Sequence, residues 1–287
     1  MLNSRLQPST SFFRYFSKRK EVERYLERQA NDQYSRRAKE HSYRARSAFK
    51  LLQINEKFNF IKPGLVALDV GAAPGSWCQV LSELIFPLNP LHSNQTEINK
   101  NGLQESLDGY ILGIDLLPIS PIDGVDLLCK ADFLKPATQT EIIRRLQGRQ
   151  VNLLLSDMAP NPIGDSRVDH FRIIQLCKSL LDFGTTENSI DGKTILAKDG
   201  IFLCKVSKRI FFKLLFVFLL PSQKFFILKI FLQIFDGQDR SELKNNLNVY
   251  FQQVKFIKPD ASRDNSSEIY IFASGFNNDE RRKCKND

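Results

Sequence analysis

A chain of 287 residues, 42% of them hydrophobic, can bury one sizeable core, and its length does not demand a second domain. The net charge of +9 suggests an anionic partner, but residues 1 to 20 and 207 to 234 each hold five basic side chains and no acidic one, so the rest is nearly neutral. Five scattered cysteines form no C-x-x-C pair or Cys/His cluster, which argues against a zinc site or a disulfide scaffold and predicts no metal.

The amino-terminal segment, residues 1 to 20, is rich in Arg and Ser and contains no acidic residue. This composition is typical of a mitochondrial transit peptide, and a disordered basic tail is the alternative. The sequence therefore predicts a transit peptide at 1 to 20, one globular domain at 21 to 276 and a charged tail at 277 to 287.

The predicted elements after this segment alternate between helix and strand. Helices are predicted at 44–58, 76–84, 138–147, 168–183 and 239–250, and strands at 65–70, 109–115, 125–128, 151–157, 200–206, 251–257 and 268–274. Such alternation predicts an α/β fold with a mostly parallel seven-stranded sheet flanked by helices.

Two insertions interrupt the alternation, a polar one at 87–108 and an apolar, basic one at 207–234. The longest uninterrupted apolar run in the second insertion, 214 to 220, has seven residues. Because a membrane-spanning helix needs about 20 mostly apolar residues, no integral membrane span is predicted.

A glycine-rich turn with the sequence DVGAAPGSW, residues 69 to 77, connects the first strand to a helix. Glycines such as Gly71 and Gly75 let the backbone approach a ligand closely, and the helix amino terminus favours a carboxylate. The turn has neither the G-x-G-x-x-G of dinucleotide sites nor the Gly-Lys-Ser/Thr of a P-loop, which argues against nucleoside triphosphate chemistry. A purely structural turn remains the alternative.

Three aspartates follow predicted strands. Asp115 ends the second strand, where an acid can accept both ribose hydroxyls of a bound adenosine. Asp132 follows the third strand and could face an adenine amino group, although a capping aspartate is equally consistent with this position. Asp157, in SDMAPN, stands at the carboxyl end of the fourth strand, the edge where ligands lie in open α/β sheets.

Taken in order, these motifs resemble the RrmJ/FtsJ family of ribosomal RNA 2′-O-methyltransferases. The resemblance covers about residues 30 to 276 apart from the insertions. It rests on R-x-R-x-x-x-K-L at 44–51, LDVGAAPGSW at 68–77, DLLP at 115–118, SDMAPN at 156–161, FLCKV at 202–206 and KPDASRDNSSEIYIFASGF at 258–276. It implies a Rossmann-like methyltransferase fold over 21–276 and S-adenosylmethionine as methyl donor.

The family's Lys-Asp-Lys-Glu catalytic tetrad matches Lys50, Asp157, Lys205 and Glu268. A ribose 2′-hydroxyl is a poor nucleophile, so its proton must be removed or its developing charge stabilised, and Lys205 is predicted to do either. Asp157 and Glu268 would orient the two ammonium groups. The cofactor contacts expected from the resemblance and from the glycine-rich turn are Gly71, Gly75, Trp77, Asp115, Asp132 and Asp157.

Arg36, Arg37, Arg44 and Arg46 are predicted to bind RNA, with Tyr43 available for stacking, and a solvated charged helix face is the alternative. The predicted activity is 2′-O-methylation of a uridine in mitochondrial large-subunit ribosomal RNA, by a monomer in the matrix. The substrate could be free RNA or a ribosomal subunit precursor. Competing interpretations are a transfer-RNA or messenger-cap 2′-O-methyltransferase and a catalytically silent RNA-binding assembly factor.

The insertion at 207–234 departs from the family pattern and directly follows Lys205, so it bears on the geometry of the tetrad. One hypothesis is a translated intron, because Val206-Ser207 can be encoded by a sequence that matches a splice donor and the Phe/Leu/Lys composition suits T- and A-rich noncoding DNA. The other is a membrane- or ribosome-facing element.

Overall fold

The computed structural model describes residues 32–87, 109–161, 163–187, 192–207, 243–263, 266 and 268–277. The transit-peptide prediction lies outside these residues, as do almost all of both insertions and of the charged tail. The helices are α1 (Gln33–Glu40), α2 (Ser47–Phe58), α3 (Ser76–Ile85), α4 (Pro136–Leu146), α5 (Ser166–Thr185) and α6, described at 243–248. The strands are β1 (Val66–Val70), β2 (Tyr110–Asp115), β3 (Val125–Cys129), β4 (Val151–Ser156), β5 (Leu196–Ser207), β6 (Phe251–Ile257) and β7 (Glu268–Phe276).

The seven strands form one sheet in the order β3-β2-β1-β4-β5-β7-β6. The pairs among β1 to β5 are parallel, and β7 runs antiparallel to both β5 and β6. The prediction of a mostly parallel seven-stranded sheet is therefore confirmed. Because β7 runs the other way, its first residue lies at the edge where β1, β2, β4 and β5 end.

Helices cover both faces of the sheet. On one face α2 and α3 bury apolar side chains such as Leu51 and Leu81 against Leu153 and Leu203. On the other face α4, α5 and α6 pack against residues including Leu68, Leu154 and Phe202. All five residues of β1 are buried, as expected for a central parallel strand covered on both sides.

The helix predicted at 44–58 is α2, which begins at Ser47, and a break in the helical geometry separates it from α1. The Asp32 side chain accepts hydrogen bonds from the backbone N–H groups of Tyr34 and Ser35 and so caps α1. The chain leaves helical geometry after α1, where Ser42 has φ of 60°, and α2 begins only at Ser47. The break arises because the backbone N–H of Arg44 bonds to a side chain of α3 instead of continuing a helix.

Strand β5 begins at Leu196, four residues before the predicted start at 200. Asp199 in this part has φ of 61°, and the pairing of β4 with β5 shifts register between Val151 and Leu153. The polar Lys-Asp-Gly sequence at this bulge hides the strand from pattern analysis. Among the described helices none is both long enough and apolar enough to cross a membrane.

Candidate active site

Three strand ends bring charged side chains to one edge of the sheet. Ser156 pairs with Cys204, so the next residues along these two parallel strands, Asp157 and Lys205, are neighbours. On the other side of β5, Ser207 pairs with Glu268. The register of β4, β5 and β7 thus places an aspartate, a lysine and a glutamate side by side, although 111 residues separate the first from the last.

The alternation of side chains along a strand decides which face these groups occupy. Leu155, Leu203 and Phe272 all belong to the core under α2 and α3. Residues two positions apart along a strand share a face, so Asp157, Lys205 and the beginning of β7 also face α2. This is the helix that carries Lys50.

The four predicted tetrad residues meet as two ion pairs. Lys50 Nζ lies 2.5 Å from Glu268 Oε1, and Lys205 Nζ lies 2.8 Å from Asp157 Oδ1. Lys205 Nζ also donates a hydrogen bond to the backbone oxygen of Asp157, at 2.6 Å. Each of the four side chains keeps only 10 to 21% of its surface exposed. The cluster is thus largely shielded from water but not fully enclosed.

Tyr270 is a member of this cluster that the sequence interpretation missed. Its hydroxyl donates a hydrogen bond of 2.7 Å to Asp157 Oδ1, and Lys50 Nζ lies 5.8 Å from its ring centroid. Burial, followed by the negative charges of Asp157 and Glu268, raises the pKa of Tyr270, so it remains a hydrogen-bond donor at neutral pH. The strand sequence EIYIF contained a signal for this residue. Tyr270 stands two residues after Glu268, and residues two positions apart along a strand share a face.

The ionisation of Asp157 is set by opposing effects. Burial alone would raise its pKa, but the positive charges of Lys205 and Lys50 and the hydrogen bonds from Lys205 and Tyr270 hold it below its usual value. Asp157 is therefore a carboxylate at neutral pH. In this state it forms the ion pair with Lys205 and is a weak proton acceptor.

The glycine-rich turn lies beside this cluster. Gly71 has φ of +85°, and a Cβ there would lie 2.4 Å from Met158 Cγ, so the glycine lets the turn pack against the loop after β4. Gly75 has φ of +106° and precedes the first residue of α3. The first N–H groups of this helix have no partner within it and can bind a negatively charged group.

Asp115 is hydrogen-bonded to the glycine-rich turn. Its Oδ2 accepts a hydrogen bond from Ala73 N at 2.9 Å, and its Oδ1 accepts one from Leu117 N at 2.8 Å. A carboxylate oxygen can accept two hydrogen bonds, so each oxygen keeps capacity for a ribose hydroxyl. Asp132 Oδ1 accepts one bond, from Leu134 N at 3.1 Å.

Trp77 occupies a different position from the other predicted cofactor residues. Its indole is 2% exposed, its Nε1 donates to the backbone oxygen of Ser47 at 2.8 Å, and its ring lies 5.8 Å from that of Tyr270. The side chain thus joins α2 to α3 beneath the cleft. Only the backbone N–H of Trp77, in the first turn of α3, remains as a direct contact for a ligand.

The four predicted RNA-binding arginines fall into two groups. Arg44 donates to three backbone oxygens, and Arg46 pairs with Asp32 and donates to the oxygen of Ala261, so both guanidinium groups make contacts inside the protein. Arg36 and Arg37 are exposed on α1. The phenol of the predicted stacking residue, Tyr43, donates to Glu83 Oε2 at 2.6 Å. Within the described ranges, no group of three His, Cys, Asp or Glu side chains could hold a metal ion.

The sheet order and the single antiparallel strand β7 define a Rossmann-like methyltransferase fold. A family model described as "FtsJ-like methyltransferase" matches residues 43–276. The chain therefore belongs to the FtsJ-like methyltransferase family, and the family predicted from the motifs is confirmed.

Individual relatives agree with this assignment. The chain is 38% identical over 255 residues to "rRNA methyltransferase 2, mitochondrial" of Caenorhabditis elegans, an alignment that covers 89% of this chain and 94% of that one. It is 34% identical to "Ribosomal RNA large subunit methyltransferase E" of Azoarcus, over 86% of this chain and 93% of the relative. The crystal structure of a ribosomal RNA methyltransferase from Plasmodium falciparum matches 82% of this chain and 98% of its own, with a TM-score of 0.54 and 25% identity.

Proposed function

We propose that this protein transfers the methyl group of S-adenosylmethionine to the 2′-oxygen of a ribose in large-subunit ribosomal RNA. The proposal rests on two ion pairs beside the glycine-rich turn, Lys205 with Asp157 and Lys50 with Glu268. The names of the C. elegans and Azoarcus relatives support ribosomal RNA as the substrate.

The residues beside the cluster have chemistry suited to the methyl donor. The residues proposed to hold it are Gly71 and Gly75 in the turn, Asp115 at the ribose and Asp132 at the adenine. Near the two aspartates, Leu116, Leu117 and Leu134 are 64%, 61% and 51% exposed, an apolar surface that a bound purine would cover. When bound, S-adenosylmethionine supplies a methyl group on a positively charged sulfur.

Lys205 is the residue proposed to act on the 2′-oxygen. An ammonium has three N–H donors, and Asp157 takes two of them through Oδ1 and its backbone oxygen. The third would be able to donate to the 2′-oxygen and stabilise the negative charge that develops there as the methyl group moves from sulfur to oxygen, and the hydroxyl proton would pass to solvent water. Lys50 and Glu268 would complete the charge balance and position the ribose for in-line transfer.

RNA binding is proposed for the exposed face of α1 that carries Arg36 and Arg37. The predicted roles of Arg44 and Arg46 receive less support, because their donors are engaged inside the protein.

A mitochondrial site of action, in the matrix, is supported by the composition of residues 1 to 20 and by the mitochondrial relative. A fluorescent fusion with and without residues 1 to 20 tests it, and mitochondrial import of the truncated chain would contradict the transit peptide.

Methyl transfer to ribosomal RNA tests the activity. We expect purified protein to transfer tritiated methyl groups from S-adenosylmethionine to large-subunit RNA, with the product mapped as 2′-O-methyluridine. Lys205→Ala should abolish transfer while leaving cofactor affinity within about twofold, because the lysine acts on the ribose and not on the donor. Lys62→Ala, which removes an exposed lysine that precedes β1, is the matched control. Wild-type protein that binds both ligands without transfer would favour the silent assembly factor.

A further inference from the structure

Arg44 occupies the junction between two loops of the cleft. Its Nη1 donates to the backbone oxygen of Pro74 at 3.1 Å and to that of Ser120 at 2.7 Å, and its Nη2 donates to the oxygen of Pro121 at 2.8 Å. Pro74 belongs to the glycine-rich turn, and the other two belong to the loop that follows β2. We propose that Arg44 is a positioning residue for the methyl donor, which holds both loops in their binding geometry.

A second contact joins the same two segments of the proposed cofactor site. Asp115, at the end of β2, accepts a hydrogen bond from the N–H of Ala73 in the glycine-rich turn. A carboxylate thus holds the turn at Ala73, and the Arg44 guanidinium holds it at Pro74. A planar guanidinium presents several N–H donors in a fixed arrangement, which suits three backbone oxygens at once.

The backbone around Arg44 is itself anchored to α3. Its N–H donates to Gln79 Oε1 at 2.9 Å, and Gln79 Nε2 donates to the backbone oxygen of Ser42 at 3.0 Å. A Cβ on Gly75 would lie 2.8 Å from Arg44 Nη1, so the glycine also leaves space for the guanidinium. These contacts account for the break between α1 and α2, which lets Arg44 reach the turn.

This arrangement separates Arg44 from an RNA-binding role. Three donor contacts are satisfied by carbonyl oxygens of the protein, so a phosphate would have to compete with them. Arg36 and Arg37 of α1, by contrast, are exposed, although the Arg37 guanidinium also packs 5.0 Å from the centroid of the Phe49 ring. Removal of Arg44 should therefore act on the cofactor, and removal of Arg37 on RNA.

Calorimetric titration of S-adenosylmethionine and RNA into each variant tests the inference, which rests on the proposed cofactor site. Arg44→Ala should raise the dissociation constant for S-adenosylmethionine about tenfold or more, the effect of losing charged hydrogen bonds, and leave RNA affinity within about twofold. Arg44→Lys, which keeps the charge and has fewer donors, should give a smaller rise. In turnover, the KM for the donor should rise more than kcat falls.

Two control variants make the test specific. Arg37→Ala should weaken RNA binding and leave donor affinity unchanged, and Arg144→Ala, on the exposed surface of α4, should change neither. Donor affinity within twofold of wild type in Arg44→Ala, together with weaker RNA binding, would overturn the inference. If Arg44→Ala does not fold, the same two affinities are measured for Arg44→Lys, and an unchanged donor affinity with weaker RNA binding would again overturn the inference. A wild-type protein that binds no S-adenosylmethionine would instead overturn the proposed function.

Discussion

Asp69, at the carboxyl end of β1, gives a prediction about pH and stability. The residue is 1% exposed, its Oδ2 accepts a hydrogen bond from Cys78 Sγ at 3.3 Å, and its Oδ1 has no hydrogen-bond partner in the described part of the chain. Burial, together with the negative charges of Asp157 and Asp115, raises the pKa of Asp69 to about 7 even though the Cys78 bond opposes the shift. The folded protein therefore holds a neutral carboxyl group below pH 7.

The magnitude of the effect follows from the difference between the folded and unfolded states. An unfolded chain releases an aspartate proton near pH 4, whereas the folded protein keeps that of Asp69 up to about pH 7. The folded state binds more protons in this window, so its free energy of unfolding falls as pH rises. Each pH unit contributes up to about 1.4 kcal/mol, which gives about 4 kcal/mol as an upper limit over the window.

Asp69→Asn should remove this dependence, because an amide does not titrate. Urea unfolding of the ligand-free protein, followed by the fluorescence of Trp77, the single tryptophan, measures the free energy of unfolding between pH 4.5 and 7.5. From pH 4.5 to 7.5, the free energy of unfolding of the variant should rise by about 2 to 4 kcal/mol relative to that of wild type, whatever its value at pH 4.5. Asp182→Asn, on the exposed side of α5, is the control and should follow wild type. Parallel curves for wild type and Asp69→Asn would refute the reasoning.

Three further predictions concern the cleft and the RNA surface. Gly71→Ala should lower thermal stability by more than Gly148→Ala, because both glycines have positive φ but only at Gly71 would a Cβ collide with a neighbouring loop; equal losses would contradict that contact. Tyr270→Phe should lower the free energy of unfolding by about 1 to 3 kcal/mol in urea titrations, since Asp157 loses a buried donor; an unchanged midpoint would argue against the bond. Arg37→Ala should reduce the slope of log RNA affinity against log salt by about 1, and an unaltered slope would exclude a phosphate contact.

Much of the fold could be predicted from the sequence because its signals are local. The apolar runs of β1 and β4 indicate buried parallel strands, and the glycine-rich turn after β1 and the aspartate after β4 indicate the ligand edge. The pairing of Lys205 with Asp157 also follows once these strands are recognised as neighbours. The insertion after β5 did not disturb the geometry of the described tetrad residues, which had been in question.

The environment of the charged side chains could not be predicted in the same way. Arg44 and Arg46 look like an exposed basic pair, but each is engaged by backbone oxygens from segments about 30 to 215 residues away. The partners are carbonyl groups, which every residue has, so no sequence pattern marks them. Tyr270 was missed for a related reason, because a tyrosine within an apolar strand resembles a core residue until its hydroxyl is seen to face Asp157.

The ladder between β5 and β7 has a consequence for the evolution of the chain. It pairs residues from Phe202 with Ala273 to Ser207 with Glu268, so backbone hydrogen bonds between strands set the spacing of Lys205 and the glutamate. The connecting sequence leaves β5 after the last paired residue. Relatives or transcripts can therefore differ in length after Ser207 and keep the same arrangement of the four tetrad residues. If the chain is cut between 208 and 242, combining the two fragments should restore that arrangement.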